Sequence, residues 1–412
     1  MLKKLSSGFR SLFLVFFFSI CFLLPFEPRF LATVEILTVL FFLLAHSPRS
    51  IFLRLRKRRE AVPFFLFFLL TACSCFYSEN KTEWARQVEV KLPFLVIPLL
   101  VWGAGIDRHR ARTGILVFVA GCAAACTALL CLAGVDYIAT GNDMVWLYTG
   151  FSRFMHVSYF GMYLLVCIAW LFMDGLEDRY VFPRKYTAAI LLFMLCLVLV
   201  SAKITWVALI VSSLFFALYY ARRRQQVLKA LSIIGFFALL PLLLYLVSPN
   251  VRIRIDAIGK EIAGRHRYTA PQNMGSTTIR MVIWEDAWPQ VCANLPWGTG
   301  AGDVQGMLIE NYRKRDMQMA IEKKLNMHDE YLQQLAGLGI PGLLLFVFMA
   351  ALPALLCRRP YRFAGFLFTF TVLTVALTES ILERQAGTIF FCLAGVLLIT
   401  AYGKETAPVP NS

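Results

Sequence analysis

Twelve mostly apolar stretches recur along the chain, near residues 9–26, 30–46, 61–78, 88–106, 112–134, 154–173, 186–201, 203–220, 228–247, 331–357, 361–379 and 385–402. Each approaches the length of about 20 residues that lets a helix cross a bilayer. The pattern predicts an all-α integral membrane protein of about twelve transmembrane helices. Lys3-Lys4 followed by Phe9–Phe26 has the outline of a signal peptide. It lacks a small-x-small cleavage site and runs at once into another span, so it reads as the first helix. The close pair 186–201 and 203–220 needs a turn at Ser201-Ala202-Lys203.

One long polar segment interrupts the apolar runs, from Ser248 to about residue 330. Structureless loops longer than about 12–15 residues are uncommon and usually functional, so chemistry is expected here. Val251–Ile262 reads as helical, and Thr277-Thr278 can cap a helix over Ile279–Val291, with Pro296 beyond its end. Gly306–Met327 is amphipathic, with Met317, Ile321 and Leu325 on one stripe, which predicts a segment lying along the membrane surface. The chain therefore divides into a nine-span bundle (1–247), the polar segment (248–330), three further spans (331–402) and a disordered tail (403–412) containing Ala407-Pro408-Val409-Pro410.

Charge turns this pattern into a topology. A formal net charge of +16 on 412 residues would suit a nucleic-acid binder, but only 16% of the residues are charged and mean hydropathy is +0.66. Lys and Arg sit in short runs between apolar stretches, as membrane topology signals do, which argues against nucleic acid. Arg54 to Arg59, Arg108 to Arg112, Arg222 to Arg224 and Arg358 to Arg362 all fall in alternate loops. That side is cytoplasmic by the positive-inside rule, along with both termini, and the polar segment lies on the outer face. The eleven cysteines lie almost all within apolar runs and read as small packing residues, not as a disulfide framework or a zinc site.

Several polar residues stand where chemistry is possible. His328 sits where the polar segment re-enters the membrane. It reads either as an interfacial anchor or as a general base, kept neutral by the field at the start of a helix. Arg280 and Trp284, four apart, share a helix face. Arg265 and Arg267 add to a basic stretch that is either a solvated face or a site for an anionic headgroup. Lys203 and Arg153, at the outer ends of spans, either snorkel or face a polar site. His156 is a second boundary histidine, with packing and function equally open. Glu379, Glu383 and Arg384 between the last two spans read as a structural ion-pair cluster. Gly298, Gly300 and Gly302 follow no βαβ strand, so they suggest a tight turn or close backbone approach instead of a dinucleotide fold. Gly339-Ile340-Pro341-Gly342 is expected to bend the helix that follows His328.

Together these residues resemble the O-antigen ligase and polymerase family of polytopic bacterial membrane glycosyltransferases. The resemblance is carried by Arg280-x-x-x-Trp284, by Pro296-Trp297-Gly298-Thr299-Gly300-Ala301-Gly302, and by His328-Asp329 with nine residues before Gly339-x-x-Gly342. His156-x-Ser158-Tyr159 and Ser201-Ala202-Lys203 look like lesser family motifs. Asp329 stands where an amide or serine is usual, and Lys203 where the family generally has arginine.

The resemblance implies a fold of the glycosyltransferase-C kind in the inner membrane, with a large helical periplasmic segment. It implies transfer of a glycan from undecaprenyl pyrophosphate to lipid A-core, to another repeat unit or to protein. In that reading His328 is the base, and Arg280 acts on the departing pyrophosphate. Lys203, Arg265, Arg267, Trp284, His156 and Arg153 line the donor and glycan site. No metal or cofactor is called for, because the leaving group is already a pyrophosphate; membrane lipids are the other partners. The rival from another class is a twelve-span transporter. Transporters usually show paired halves with breaks at midplane, whereas the breaks and charges here cluster at one boundary.

Overall fold

The computed structural model describes residues 2–26, 28–177, 183–224, 276–359 and 361–404, with Leu246 and Arg252. Arg265, Arg267, the expected span 228–247 apart from Leu246, the expected helix at Val251–Ile262 apart from Arg252, and nearly all of the tail lie outside the described residues. Those described form helices and no strands. In chain order they are α1 (Leu2–Leu23), α2 (Pro28–Ala45), α3 (Pro48–Leu55), α4 (Val62–Cys73), α5 (Lys81–Lys91), α6 (Pro93–Pro98), α7 (Arg108–Thr140), α8 (Val157–Glu177), α9 (Arg184–Val200) and α10 (Lys203–Arg224). There follow α11 (Ser276–Ala293), α12 (Val304–Lys314), α13 (Gln318–Glu322), α14 (Glu330–Leu356), α15 (Arg362–Ala376) and α16 (Gln385–Tyr402).

Among the described residues, five helices are long and apolar enough to cross a membrane, or six if the bent pair α2 and α3 counts as one. That pair turns through 101° where Ser47 caps α3 ahead of Pro48, a residue that starts a helix readily but cannot continue one. The apolar stretch 88–106 is not one straight helix. It takes in the end of α5, then α6 from Pro93, then a π-helical turn over Leu99–Gly103. Between α9 and α10 the chain turns at Ser201, in the left-handed region with φ 48°.

The bundle is organised around α16, which packs on α6, α7, α14 and α15 and is enclosed along nearly its whole length. Its polar atoms find partners inside: Thr400 Oγ1 accepts from the Trp102 indole N–H, and the Tyr402 hydroxyl from that of Trp170. Free thiols at Cys21, Cys122, Cys126, Cys167, Cys196, Cys357 and Cys392 are buried, as packing residues are.

A second, smaller core belongs to the polar segment. Ile283, Ala287 and Val291 of α11 meet Leu308 and Tyr312 of α12, together with Met317, Ala320 and Met327. This differs from the expected surface-lying segment over Gly306–Met327. Met317, at the head of its apolar stripe, is 3% exposed within this core, and Ile321 and Leu325 pack against the core half-buried.

α14 breaks at Gly339, whose φ of 65° and ψ of −158° are not helical. The break strands two carbonyls. Ile340 N–H donates to Pro296 O at 2.9 Å instead of to Ala336 O, and Pro341 has no N–H to offer Gly337 O. The glycine turn supplies both missing donors: Thr299 N–H to Ala336 O at 2.7 Å and Gly300 N–H to Gly337 O at 3.0 Å. Such close backbone approach leaves no room for a Cβ at Gly339, which would collide with the Pro296 carbonyl. Gly339→Ala is expected to cost roughly 3–5 kcal/mol from a left-handed non-glycine residue plus that overlap. Thermal unfolding in detergent checks it, with a loss of several degrees expected.

Candidate functional site

Four segments remote in sequence converge at one end of the bundle, and a buried carboxylate joins them. Glu379, just beyond the end of α15, is 4% exposed. Its Oε1 accepts from the Arg280 guanidinium of α11 at 2.9 Å and from the Ser158 hydroxyl at 3.1 Å. Its Oε2 lies 3.6 Å from His328 Nδ1 and 3.9 Å from His156 Nδ1. Burial alone would raise the carboxyl of Glu379. The contact with His328 and the nearby His156 and Arg280 outweigh it and hold the group below the usual carboxylate range. A buried charge persists only when so compensated.

His328 is aimed by its backbone. It adopts φ 48°, uncommon for a residue with a side chain, and the segment around it is pinned at each step. The Trp284 indole N–H donates to Met327 O at 2.8 Å, Met327 N–H to Gln333 Oε1 at 3.3 Å, and His328 N–H to Asn326 Oδ1 at 3.0 Å. Asp329 then caps α14, its Oδ1 accepting from Leu332 N–H at 2.8 Å. Asparagine and serine perform the same capping, which rationalises aspartate at a position where the family pattern has an amide or serine. Burial raises the Asp329 carboxyl, and the backbone N–H groups it caps partly offset that. The loop carrying Glu379 is tied to the same point, because Glu330 Oε2 accepts from Leu382 N–H at 2.8 Å.

The sequence-derived candidates do not all meet. Arg280, His328 and His156 do. Trp284 is one residue removed, holding Met327. Lys203 opens α10 at the same end, where Thr205 packs against Gly161 of α8. Arg153 faces elsewhere, paired with Asp136 at the end of α7 and donating to Gly150 O at 3.0 Å. The N–H groups of the glycine turn are all engaged: besides those of Thr299 and Gly300, Ala301 N–H meets Ser74 Oγ at 3.3 Å and Gly302 N–H meets Ser78 Oγ at 3.2 Å. The turn therefore holds α14 to the end of α4 and offers no phosphate cradle.

Glu379 is the residue that sequence reasoning passed over, having been grouped with Glu383 and Arg384. The structure separates them: Glu383 pairs with Lys91 at 2.7 Å and accepts from Gln87 at 2.6 Å. The available signal was a lone carboxylate in Ala376-Leu377-Thr378-Glu379-Ser380, at the edge of an apolar span, where charge has to be compensated.

Two titrations at the site have a definite sign. His156 stands ahead of the first turn of α8, and its imidazole is pushed below the ordinary value of about 6.5. Burial is the main cause. Glu379 opposes it, while Arg384, His328 and Arg280 add to it. A neutral His156 then contributes stability that is complete above about pH 6.5 and is lost as pH falls through the lower folded-state value. Glu379, held low, keeps its charge through that window. Thermal unfolding between pH 5 and 8 is expected to be flat above about pH 6.5 and to fall below it, less steeply in His156→Gln.

Residues 188–347 match the family model described as O-antigen ligase (Wzy_C). The match takes in Arg280, Trp284, the glycine turn and His328, and stops short of His156 and Glu379. A comparison with curated proteins gives no match.

Proposed function

We propose, from the match of residues 188–347 to the O-antigen ligase family model, that the chain is a membrane glycosyltransferase moving a glycan from undecaprenyl pyrophosphate to a hydroxyl of lipid A-core. The observation that carries the reading is His328 set 3.6 Å from a buried Glu379 that also holds Arg280 at 2.9 Å.

In this reading the Glu379 carboxylate favours the His328 tautomer with its proton on Nδ1, leaving Nε2 to accept. His328 takes the proton of the acceptor hydroxyl as its oxygen bonds to the anomeric carbon of the donor. The bond from that carbon to the pyrophosphate oxygen breaks, and the configuration inverts. Glu379 stabilises the imidazolium that forms. Arg280 has five N–H donors and, among the described residues, one hydrogen-bonded acceptor, Glu379. The guanidinium is thus suited to the charge that develops on pyrophosphate, with Lys203 at the same end as a second cation. The distribution of basic runs supports a reading in which this end faces the periplasm from the inner membrane, in a chain of about twelve spans with both termini cytoplasmic.

The test is transfer by purified protein in detergent, with chelator, from a lipid-pyrophosphate glycan offered lipid A-core or the donor's own repeat. Product on lipid A-core supports the ligase. Growth of the donor chain would make the protein a polymerase, product only on a polypeptide a protein transferase, and no transfer to any acceptor would favour a transporter.

A further inference from the structure

The end of the bundle opposite Glu379 holds a cavity that glycan transfer leaves unused. α16 starts near Glu379 and runs 18 residues to Tyr402, about 27 Å at 1.5 Å per residue. There a cavity of about 700 Å³ opens between the start of α7, the start of α9 and the segment after α14. These elements, far apart in sequence, bring Arg108, Arg112, Lys185, Arg358 and Arg359 to one concave surface. Tyr361, stacked on Tyr402 with ring centroids 3.9 Å apart, forms part of its wall.

Part of this charge is compensated. Arg112 donates to the fully buried Asp174 at 2.6 Å, and Arg108 donates to Gly403 O at 2.7 Å. Lys185 lies over the Tyr186 ring, 5.7 Å from its centroid. Arg358 and Arg359 are exposed and have no carboxylate partner among the described residues. Topology signals alone require basic residues on this side, but not their convergence into a cavity. The cavity also has an apolar border: Leu116 of α7 lines it and is 38% exposed, and α9, packed on α7, exposes Leu191 and Leu195.

We infer that this cavity binds the phosphate headgroup of an anionic glycerophospholipid in the leaflet opposite the Glu379 site. The arginines engage the phosphate oxygens, for which a planar guanidinium fork is suited, while the acyl chains lie against the leucines. A free phosphate would use the first feature and not the second. The inference stands whether or not the protein transfers glycans.

The experiment titrates the purified full chain in detergent with phosphatidylglycerol, phosphatidylcholine or inorganic phosphate. Binding is followed by native mass spectrometry and by thermal shift. Phosphatidylglycerol is expected to bind and raise the unfolding temperature, and phosphatidylcholine and phosphate are not. Two basic residues near an anionic headgroup make a difference of roughly thirty-fold, so Arg358→Gln with Arg359→Gln should weaken phosphatidylglycerol binding by about that factor. Both side chains are exposed, so the fold should survive the change. Arg56→Gln with Lys57→Gln, on exposed residues after α3 and outside the cavity, should leave binding unchanged. Equal weakening by the two pairs, equal binding of the two lipids, or saturation by inorganic phosphate at comparable concentration would each overturn the inference.

Discussion

His328→Ala is expected to lower glycan transfer by about 10²–10⁴-fold, the range that a positioned general base contributes. The loss should fall on kcat, because the imidazole acts on the acceptor proton as the new bond forms, not on donor binding. Stability should change little, since His328 Nδ1 approaches Glu379 only to 3.6 Å, beyond hydrogen-bond distance, and Arg280 and Ser158 still hold the carboxylate. Single-turnover transfer with saturating donor, together with thermal unfolding of the same preparation, separates the two effects.

Glu379→Gln is expected to damage both. The glutamine keeps the shape but removes the negative charge that compensates Arg280 and supports the His328 imidazolium. Breaking a buried ion pair typically costs about 3–5 kcal/mol, and the glutamine's remaining hydrogen bond to Arg280 places the cost near the lower figure. Transfer should fall by roughly 10²-fold or more even in the fraction that stays folded, because the base loses its orienting carboxylate. Transfer rate normalised to folded protein is the measurement. A variant that is less stable yet fully active per folded molecule would make Glu379 a purely structural residue.

The contrast between these residues shows what the sequence could disclose. His328, Arg280 and the Gly339 bend were legible because each leaves a local mark: a histidine ahead of an apolar run, an arginine four residues before a tryptophan, and a Gly-x-Pro-Gly that no straight helix accommodates. Glu379 left no such mark. Its meaning comes from contacts with residues 99 positions away in Arg280 and 221 positions away in Ser158, and nothing in a linear pattern distinguishes it from Glu383 four residues on. The glycine turn was legible as a turn, but its partner was not. That Thr299 and Gly300 serve carbonyls stranded by the Gly339 break follows only once the Pro296 carbonyl is seen accepting from Ile340 N–H. Hydropathy located the helical stretches and not their form, since a window average does not register that Pro93 divides 88–106 or that α2 and α3 bend at Ser47. The amphipathic stripe at Met317 was read as facing lipid because an isolated helix offers no other partner. In the folded chain the stripe joins the small core that α11 and α12 build.

If His328 removes the acceptor's proton, a small diffusible base should replace it in the variant that lacks the imidazole. Single-turnover transfer is measured in His328→Ala with increasing imidazole in the buffer. The prediction is a rate near background without imidazole that rises with the concentration of its neutral form. Transfer by His328→Ala at the wild-type rate in the absence of imidazole would contradict the claim and move the base to another residue.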